Sequence, residues 1–269
     1  NVQLFIEYDP HPPFGGMEWG SLPAHTNGHQ TAAASDGPVR EKTIALVIYQ
    51  GLTVFDLVGP LQVYSALSRI DPRFRVEIVA ERMDPIVPDI GIPMLPTTTF
   101  DQLPHPTVVI VPGGDKPTID AMLNPVVRSY VRQAAASADI AGSVCTGALI
   151  LAGAGLLDGR PATTHWAYRG VLNQLGARYQ RVRWVEDGKF ILSAGVSAGI
   201  DTSLHLVSRL TDETTARQVQ QAIQYDPQPP FGPLDYDRMG WMARMVQVGM
   251  LIYAPYVAAK ARRLRRLGQ

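Results

Sequence analysis

The sequence predicts a doubly wound α/β fold, in which a parallel sheet lies between two layers of helices. Apolar, β-branched segments of strand length alternate along the chain with segments whose apolar residues recur at helical spacing. Some strand segments, such as VVIV at 108–111, are apolar throughout, as expected for strands buried on both faces. The 269 residues, 46% of them hydrophobic and 18% charged, suffice for one full core with N- and C-terminal extensions.

The first strand-to-helix unit is Thr43–Gly51 followed by Asp56–Ile70. The strand segment is an apolar run closed by glycine, and the helix segment carries its apolar residues at helical spacing. Near the end of the domain, a threonine followed by acidic residues predicts a capped helix over Thr211–Gln224. The remaining strands are predicted at Phe74–Ala80, Thr107–Gly114, Ala138–Cys145 and Lys189–Gly195.

Chemistry is expected at the carboxyl ends of these strands, because a doubly wound sheet binds its ligand there. Asp56 follows the first strand, Gly113 and Gly114 end the third, and Cys145 ends the fourth. Glycines at a strand end let backbone N–H groups approach a ligand closely, although a PGG segment is often only a turn. We therefore predict that Gly113, Gly114 and Gly147 bind substrate or developing negative charge.

Cys145 lies between an apolar strand and a helix rich in small residues, with Gly142 and Gly147 on either side. This arrangement resembles a nucleophile elbow, a tight turn that lifts a nucleophile out of the sheet. A helix N-terminus behind the thiol favours the thiolate, which is the nucleophilic form. The alternative is a buried structural cysteine, because free cysteine is among the most buried residue types.

A proline-rich phrase occurs near both ends of the chain. YDPHPPFG at Tyr8–Gly15 returns as YDPQPPFG at Tyr225–Gly232, and the match extends without a gap back to Val2 and Val219. The spacing is that of a whole domain, far longer than the roughly 20 to 50 residues of solenoid repeats. We interpret residues 1–22 as the tail of a preceding copy of the domain. The first copy either docks on a groove of a neighbouring subunit or is a passive relic.

Composition sets the predicted boundaries. Residues 1–41 form an N-terminal extension whose later part is polar and rich in small residues, as linkers are. The compact domain is predicted at 42–224, and a C-terminal tail with a helical segment at 225–269. In that tail, Val248–Ala259 is too short to span a bilayer. The basic segment Lys260–Gln269 either binds phosphates or acidic lipid, or carries the cations usual at a helix C-terminus.

Charge and cysteine content limit the expected partners. Basic and acidic residues both number 24, so no net field attracts nucleic acid. With Cys145 as the single cysteine and no signal-peptide pattern, we expect a cytoplasmic protein without an intrachain disulfide. No histidine or carboxylate cluster has metal-ligand spacing, and the glycine patterns of phosphate and dinucleotide binding are missing, so we expect no metal and no cofactor.

Several segments together resemble a known family. They are FDLVGP, VPGG, SVCTGALILAGAGLLDGRPATTHWAY, SAGVSAGIDTSLHLV and YDPQPPFG, and they occur in this order within about Thr43–Gly232. By these motifs the chain is similar to the PfpI-like branch of the class I glutamine amidotransferase-like superfamily, and within it to isonitrile hydratases. The resemblance implies a flavodoxin-like sheet and a homodimer.

The resemblance also implies a chemistry. Isonitrile hydratases carry a cysteine nucleophile at the elbow, an aspartate in the DL-GP motif as acid or base, and a threonine after the cysteine. By that resemblance Cys145, Asp56 and Thr146 would carry the same roles here. The reaction would hydrate a small-molecule isonitrile to an N-substituted formamide through a thioimidate. On local sequence alone Asp56 is equally well explained as a helix N-cap, and His165, a possible further member, as a structural histidine at a helix start.

Two other functions stay open. A PfpI-like stress protein would use its cysteine to sense oxidation or to act on carbonyl adducts. In its peptidase-like relatives a histidine follows the cysteine, whereas this chain has Thr146 there. A ligand-sensing regulatory domain, like that of AraC-type transcription factors, would precede a helix-turn-helix region, and only about 37 residues follow Gly232.

Overall fold

The structure is a computed structural model that describes residues 10–15, 41–230, 232, 234 and 240–266. Most of the described chain forms a main sheet with helices on both of its faces. The strands of the main sheet are β1 (Lys42–Val47), β2 (Phe74–Ala80), β3 (Thr98–Thr99), β4 (Val108–Val111), β5 (Ile140–Ser143), β8 (Trp184–Asp187) and β9 (Phe190–Ser193), and a separate parallel pair is formed by β6 (Pro161–Ala162) and β7 (Arg178–Tyr179).

The main sheet has seven strands in the order β3-β2-β1-β4-β5-β9-β8. Every neighbouring pair is parallel except β8 and β9, which form an antiparallel hairpin at one edge. The doubly wound fold is therefore confirmed, with one antiparallel edge strand that we did not predict. The sequence of β8, WVED, is half charged and lacks the apolar run by which the buried strands were found.

The strand order indicates where a ligand would bind on the sheet. From β1 the chain winds outward to β2 and β3, and then crosses back to β4 and winds the other way. The gap between the carboxyl ends of β1 and β4 is thus the topological switch point, where ligands of doubly wound sheets bind. The segments that follow these two strands carry Asp56 and Gly113.

The helices form two layers. One layer contains α1, α6 and α7, which pack on one another, and the other contains α2, α3, α4, α5 and α8. The central strands β1, β4 and β5 are nearly fully buried between them. The helices are α1 (Val54–Ile70), α2 (Lys116–Leu123), α3 (Pro125–Ser137), α4 (Gly147–Gly153), α5 (Arg169–Gln174), α6 (Ala198–Leu210), α7 (Glu213–Ala222) and α8 (Trp241–Arg266).

Two predicted helices begin at other residues than expected. α1 begins at Val54, with Thr53 in the N-cap position. The predicted helix at the end of the domain is α7, and its cap is Asp212 rather than Thr211, because the Asp212 carboxylate accepts the Thr215 N–H at 2.8 Å. The five predicted strands are all present, and β2 has the predicted bounds. The other four end earlier than predicted, since their last residues turn into loops at the functional end.

The terminal regions are described in part. Residues 16–40, which include most of the predicted linker, and the last three residues of the basic segment lie outside the described residues. Among the helices of the described ranges, none combines the length and apolar character that a membrane crossing needs. α8 is the longest of them, with 26 residues, and contains Pro255. The domain boundaries remain a prediction.

Candidate functional site

Cys145 occupies a strained turn between β5 and α4. Its backbone is left-handed, with φ of 56°, a conformation that costs a non-glycine residue about 1 to 3 kcal/mol. The turn is held by hydrogen bonds on both sides of the residue: the Cys145 N–H donates to Ala194 O at 2.8 Å, and the Thr164 hydroxyl donates to Cys145 O at 2.9 Å. This is the geometry of the predicted nucleophile elbow. The residue is 5% exposed.

Gly147 lets the elbow sit directly against the neighbouring strand. A Cβ atom at this position would lie 1.9 Å from the carbonyl oxygen of Val111, the last residue of β4. No side chain fits at that distance, so only glycine allows α4 to start so close to β4. The predicted role of Gly147 in binding substrate stays a prediction, while its role in packing the elbow follows from this contact.

Asp56 lies in the first turn of α1 and is fully buried. Its Oδ2 atom accepts the N–H of Gly113 at 3.0 Å. Because Thr53 holds the N-cap position, the N-cap explanation of Asp56 is wrong. The carboxyl is aimed across the switch point instead, from the segment after β1 to the segment after β4.

Gly113 brings Asp56 and the elbow together. A Cβ atom on Gly113 would lie 2.5 Å from both the backbone nitrogen and the Oγ1 atom of Thr146, and 2.8 Å from Oδ2 of Asp56. The buried carboxyl and the residue next to Cys145 therefore contact the same glycine. Residues 56, 113 and 146 are far apart in the sequence, and the fold brings them into contact.

Thr146 ties the elbow to the loop after β4. Its Oγ1 atom accepts the Gly114 N–H at 2.8 Å, donates to Gly114 O at 2.5 Å, and lies 3.0 Å from the Thr118 hydroxyl. In this structure the Gly113 N–H donates a hydrogen bond to Asp56, and the Gly114 N–H donates one to Thr146. These two glycines therefore shape the site, and their direct contact with substrate stays a prediction.

Two tyrosines beside the cysteine were not predicted. The Tyr49 hydroxyl donates to Pro112 O at 2.9 Å and lies 3.0 Å from the Thr118 hydroxyl. Burial raises the pKa of Tyr49 well above its usual value, and the nearby charges of Asp56 and Cys145 raise it further. A signal was present in the sequence, since Tyr49 lies near the end of the first strand segment, but a tyrosine there is also an ordinary core residue.

Tyr168 is the second of these tyrosines. Its hydroxyl donates to Asp115 Oδ1 at 3.3 Å. Burial raises the pKa of Tyr168, and the charges of Asp115 and Cys145 add to the increase. Both phenols thus remain protonated at neutral pH, so the thiol is bordered by neutral hydroxyl groups.

His165 lies at the start of the short 3₁₀ turn Trp166–Tyr168 and is nearly buried. Its Nδ1 atom accepts the Ala167 N–H at 3.4 Å, and its ring packs 5.2 Å from the Trp166 ring, centre to centre. These contacts fit a structural histidine that caps the turn. A catalytic role for His165 stays a prediction.

The C-terminal helix borders the site. α8 packs against the 3₁₀ turn that carries Tyr168 and against α5. The contact with α5 is close, because a Cβ atom on Gly170 would lie 2.5 Å from the Leu251 side chain. The C-terminal helix therefore packs on the turn that carries Tyr168, a position that its sequence does not reveal. Among the described residues, no group of three or more His, Cys, Asp or Glu side chains is placed to hold a metal ion.

Comparison with known proteins adds a family assignment to this geometry. Residues 42–209 match the DJ-1/PfpI family. The isonitrile hydratase of Pseudomonas putida is 38% identical over 196 residues, 70% of this chain and 80% of that protein. The crystal structure of a THiJ/PfpI family protein from Pseudomonas syringae is 34% identical, with a TM-score of 0.72, over 88% of this chain and 98% of that one.

A regulator is also similar. The HTH-type transcriptional regulator CdhR of Pseudomonas aeruginosa is 26% identical over 180 residues. The match covers 65% of this chain but only 52% of the regulator, so about half of that protein has no counterpart in the alignment.

Proposed function

The chain belongs to the DJ-1/PfpI family, and from this premise we propose that it hydrates an isonitrile to an N-substituted formamide, with Cys145 as the nucleophile. The observation that carries the proposal is the meeting of the buried Asp56 carboxyl and the Cys145 elbow at Gly113. A thiol and a carboxyl at one point supply a nucleophile and a proton carrier. The similarity to an isonitrile hydratase supports the choice of substrate class.

In the first step the Cys145 thiolate adds to the terminal carbon of the isonitrile. A proton passes from Asp56 to the resulting C=N unit, which gives a thioimidate bound to the cysteine. In the second step a water molecule gives a proton back to Asp56 and adds to the same carbon. The thiolate then leaves as the C=N bond re-forms, and the proton of the new hydroxyl group moves to the nitrogen, which gives the formamide. The net change is the addition of one water to the isonitrile.

Burial of the site fits this chemistry. Cys145 is 5% exposed. A terminal isonitrile carbon is a single unsubstituted atom at the end of a linear group, a shape suited to a thiol with little exposed surface. The first step requires a proton on the Asp56 carboxyl, which is fully buried.

Thr146 acts as a positioning residue in this proposal. Its hydroxyl holds Gly114, and through it the loop that carries Gly113, against the elbow. A shift of this loop would move the Asp56 carboxyl relative to the thiol, since Gly113 N–H is bonded to that carboxyl. Tyr49 and Tyr168 would place uncharged hydroxyl groups beside the thiol. A homodimer, expected from the resemblance, is part of the proposal.

The test is formation of formamide from cyclohexyl or aryl isonitrile, followed by mass spectrometry. Wild type should produce formamide, and Cys145→Ala and Asp56→Asn should not. Asp187→Asn is a matched carboxyl-to-amide control at the sheet edge, where Asp187 pairs with Arg160, and it should keep full activity. A wild-type protein that forms no formamide, but whose Cys145 is alkylated readily, would overturn the hydratase proposal and favour redox or carbonyl-adduct chemistry.

A second outcome distinguishes a sensing role, which the similarity to CdhR favours. A sensing domain would bind its small molecule without turning it over. Saturable binding of the isonitrile by Cys145→Ala and by wild type alike, with no product from either, would support that role.

A further inference from the structure

Residues 10–15 of the N-terminal copy of the repeated phrase are docked on α6 and α7. The His11 backbone N–H donates to Oδ2 of Asp201 at 3.1 Å. The Arg217 side chain donates to Phe14 O at 3.0 Å, and the Gln220 side chain donates to Gly15 O at 2.9 Å. We call this surface of Asp201, Arg217 and Gln220 the phrase groove.

Apolar contacts add to these hydrogen bonds. Pro10 is buried, and Phe14 packs against the main hydrophobic core. The Arg217 guanidinium lies 5.2 Å from the centre of the Phe14 ring, within the range of a favourable cation–ring contact. The docked residues therefore combine an aromatic anchor with backbone hydrogen bonds.

The two copies share a hydrogen bond and a glycine conformation at their ends. In the first copy the Gly15 N–H donates to Pro12 O at 3.1 Å, with φ of 77° at the glycine, and in the second the Gly232 N–H donates to Pro229 O at 3.1 Å, with φ of 72°. Tyr8–Gly15 and Tyr225–Gly232 differ only in His11 against Gln228. The groove contact at that position is made by the backbone N–H, which glutamine also has.

The second copy does not occupy the groove of its own chain. It leaves directly from the end of α7, where Tyr225 O accepts a hydrogen bond of 3.1 Å from the same Gln220 side chain that binds Gly15. In space, the second copy therefore begins beside the end of the first copy. The first copy already occupies the groove. A second copy of this chain offers the same groove to it.

We propose that the phrase groove is a receptor for the PPFG phrase, and that its alternative ligand is the C-terminal copy, Tyr225–Gly232, of a second copy of this chain. The first copy then blocks the groove from within the chain, and its release opens the groove for exchange between molecules. Hydrogen bonds link the groove to the turn of Cys145: Arg183 donates to Oδ2 of Asp201 at 2.6 Å, and the Arg183 carbonyl accepts the N–H of Ala194, whose own carbonyl accepts the Cys145 N–H.

Peptide binding to the full chain tests the receptor. The probe is a fluorescent peptide AIQYDPQPPFG, and binding is measured by anisotropy with wild type, with Phe14→Ala and with Phe14→Ala/Arg217→Ala. The tethered copy acts at an effective concentration on the order of 1 mM, so the peptide should bind wild type weakly. Phe14→Ala should bind at least about tenfold more tightly, a gain of about 1.4 kcal/mol.

The double variant and a control peptide complete the test. Phe14→Ala/Arg217→Ala should bind the peptide no more tightly than wild type does. The control peptide AIQYDAQAAAG should bind none of the proteins. Equal binding to wild type and Phe14→Ala, or full binding by the double variant, would overturn the proposal. Circular dichroism monitors folding, and Phe14→Leu, which removes the ring but keeps an apolar side chain, replaces Phe14→Ala if that variant is unfolded.

Exchange between molecules is tested by sedimentation velocity. Phe14→Ala should gain a concentration-dependent species of higher mass than wild type, and Phe14→Ala/Phe231→Ala should lose it, because the ligand copy is then without its aromatic anchor. A gain in mass that persists in the second variant would assign the association to another surface and refute the exchange.

Discussion

The Gly113 N–H donates a hydrogen bond of 3.0 Å to the fully buried carboxyl of Asp56. This bond crosses the switch point of the sheet, since Asp56 follows β1 and Gly113 follows β4. A Cβ atom on Gly113 would also lie 2.5 Å from the backbone nitrogen of Thr146, next to Cys145. The bond therefore aligns three chain segments whose side chains supply the proposed chemistry.

We expect Gly113→Ala to destabilise the protein and to abolish activity. The added Cβ atom would collide with Thr146 and Asp56, and overpacking of this kind costs about 1 to 3 kcal/mol. The measurements are urea unfolding and formamide production. Gly249→Ala is the matched control, because a Cβ atom there meets nothing within 4 Å in the helix α8. It should raise stability by about 0.5 to 1 kcal/mol and leave activity unchanged.

Thr146→Val should lower the turnover number and stability together. The substitution keeps the shape of the side chain but leaves the buried Gly114 N–H without its acceptor, at a cost of about 1 to 3 kcal/mol. Thr146→Ser should restore both properties, since it keeps the hydroxyl. Steady-state kinetics and urea unfolding separate the outcomes. Normal turnover by Thr146→Val would contradict a positioning role for the hydroxyl.

Stability should fall as the pH rises above about 10. Burial raises the pKa of Tyr49 above its unfolded value of 10.0, so the folded protein keeps a proton that the unfolded chain loses. The stability that this proton contributes is complete below pH 10 and declines as the pH rises toward the folded pKa. The measurement is the free energy of unfolding in urea between pH 8 and 11. Tyr49→Phe should show a smaller decline than wild type across this interval, and an identical decline would contradict the assignment.

Arg183→Ala should be strongly destabilising. Asp201 is fully buried, and Arg183, whose side chain is 12% exposed, is paired with it at 2.6 Å. Removal of the arginine leaves a buried carboxylate uncompensated, which costs about 3 to 5 kcal/mol. Chemical denaturation measures the loss. Arg209→Ala, which breaks an ion pair with Glu186 at the more exposed protein surface, should change stability little.

The alternation of strands and helices and the turn at Cys145 could be predicted from local sequence. Continuous apolar runs predict β1, β4, β5 and β9 because buried parallel strands need no polar face. The glycines around Cys145 predict the elbow, because a tight turn against a neighbouring strand requires residues without side chains. The edge strand β8 was missed for the converse reason, since its charged residues do not distinguish it from a loop.

The sequence by itself thus determined a doubly wound sheet, a cysteine at a strand end and a phrase present in two copies. Only the tertiary structure decided that Asp56 faces Gly113 instead of capping its helix, that Tyr49 and Tyr168 border the thiol, and that residues 10–15 bind the groove on α6 and α7. The physical reason is that periodicity and turn propensity are properties of neighbouring residues. Contacts between strand ends and between helical layers join residues distant in the chain, and depend on how the layers pack.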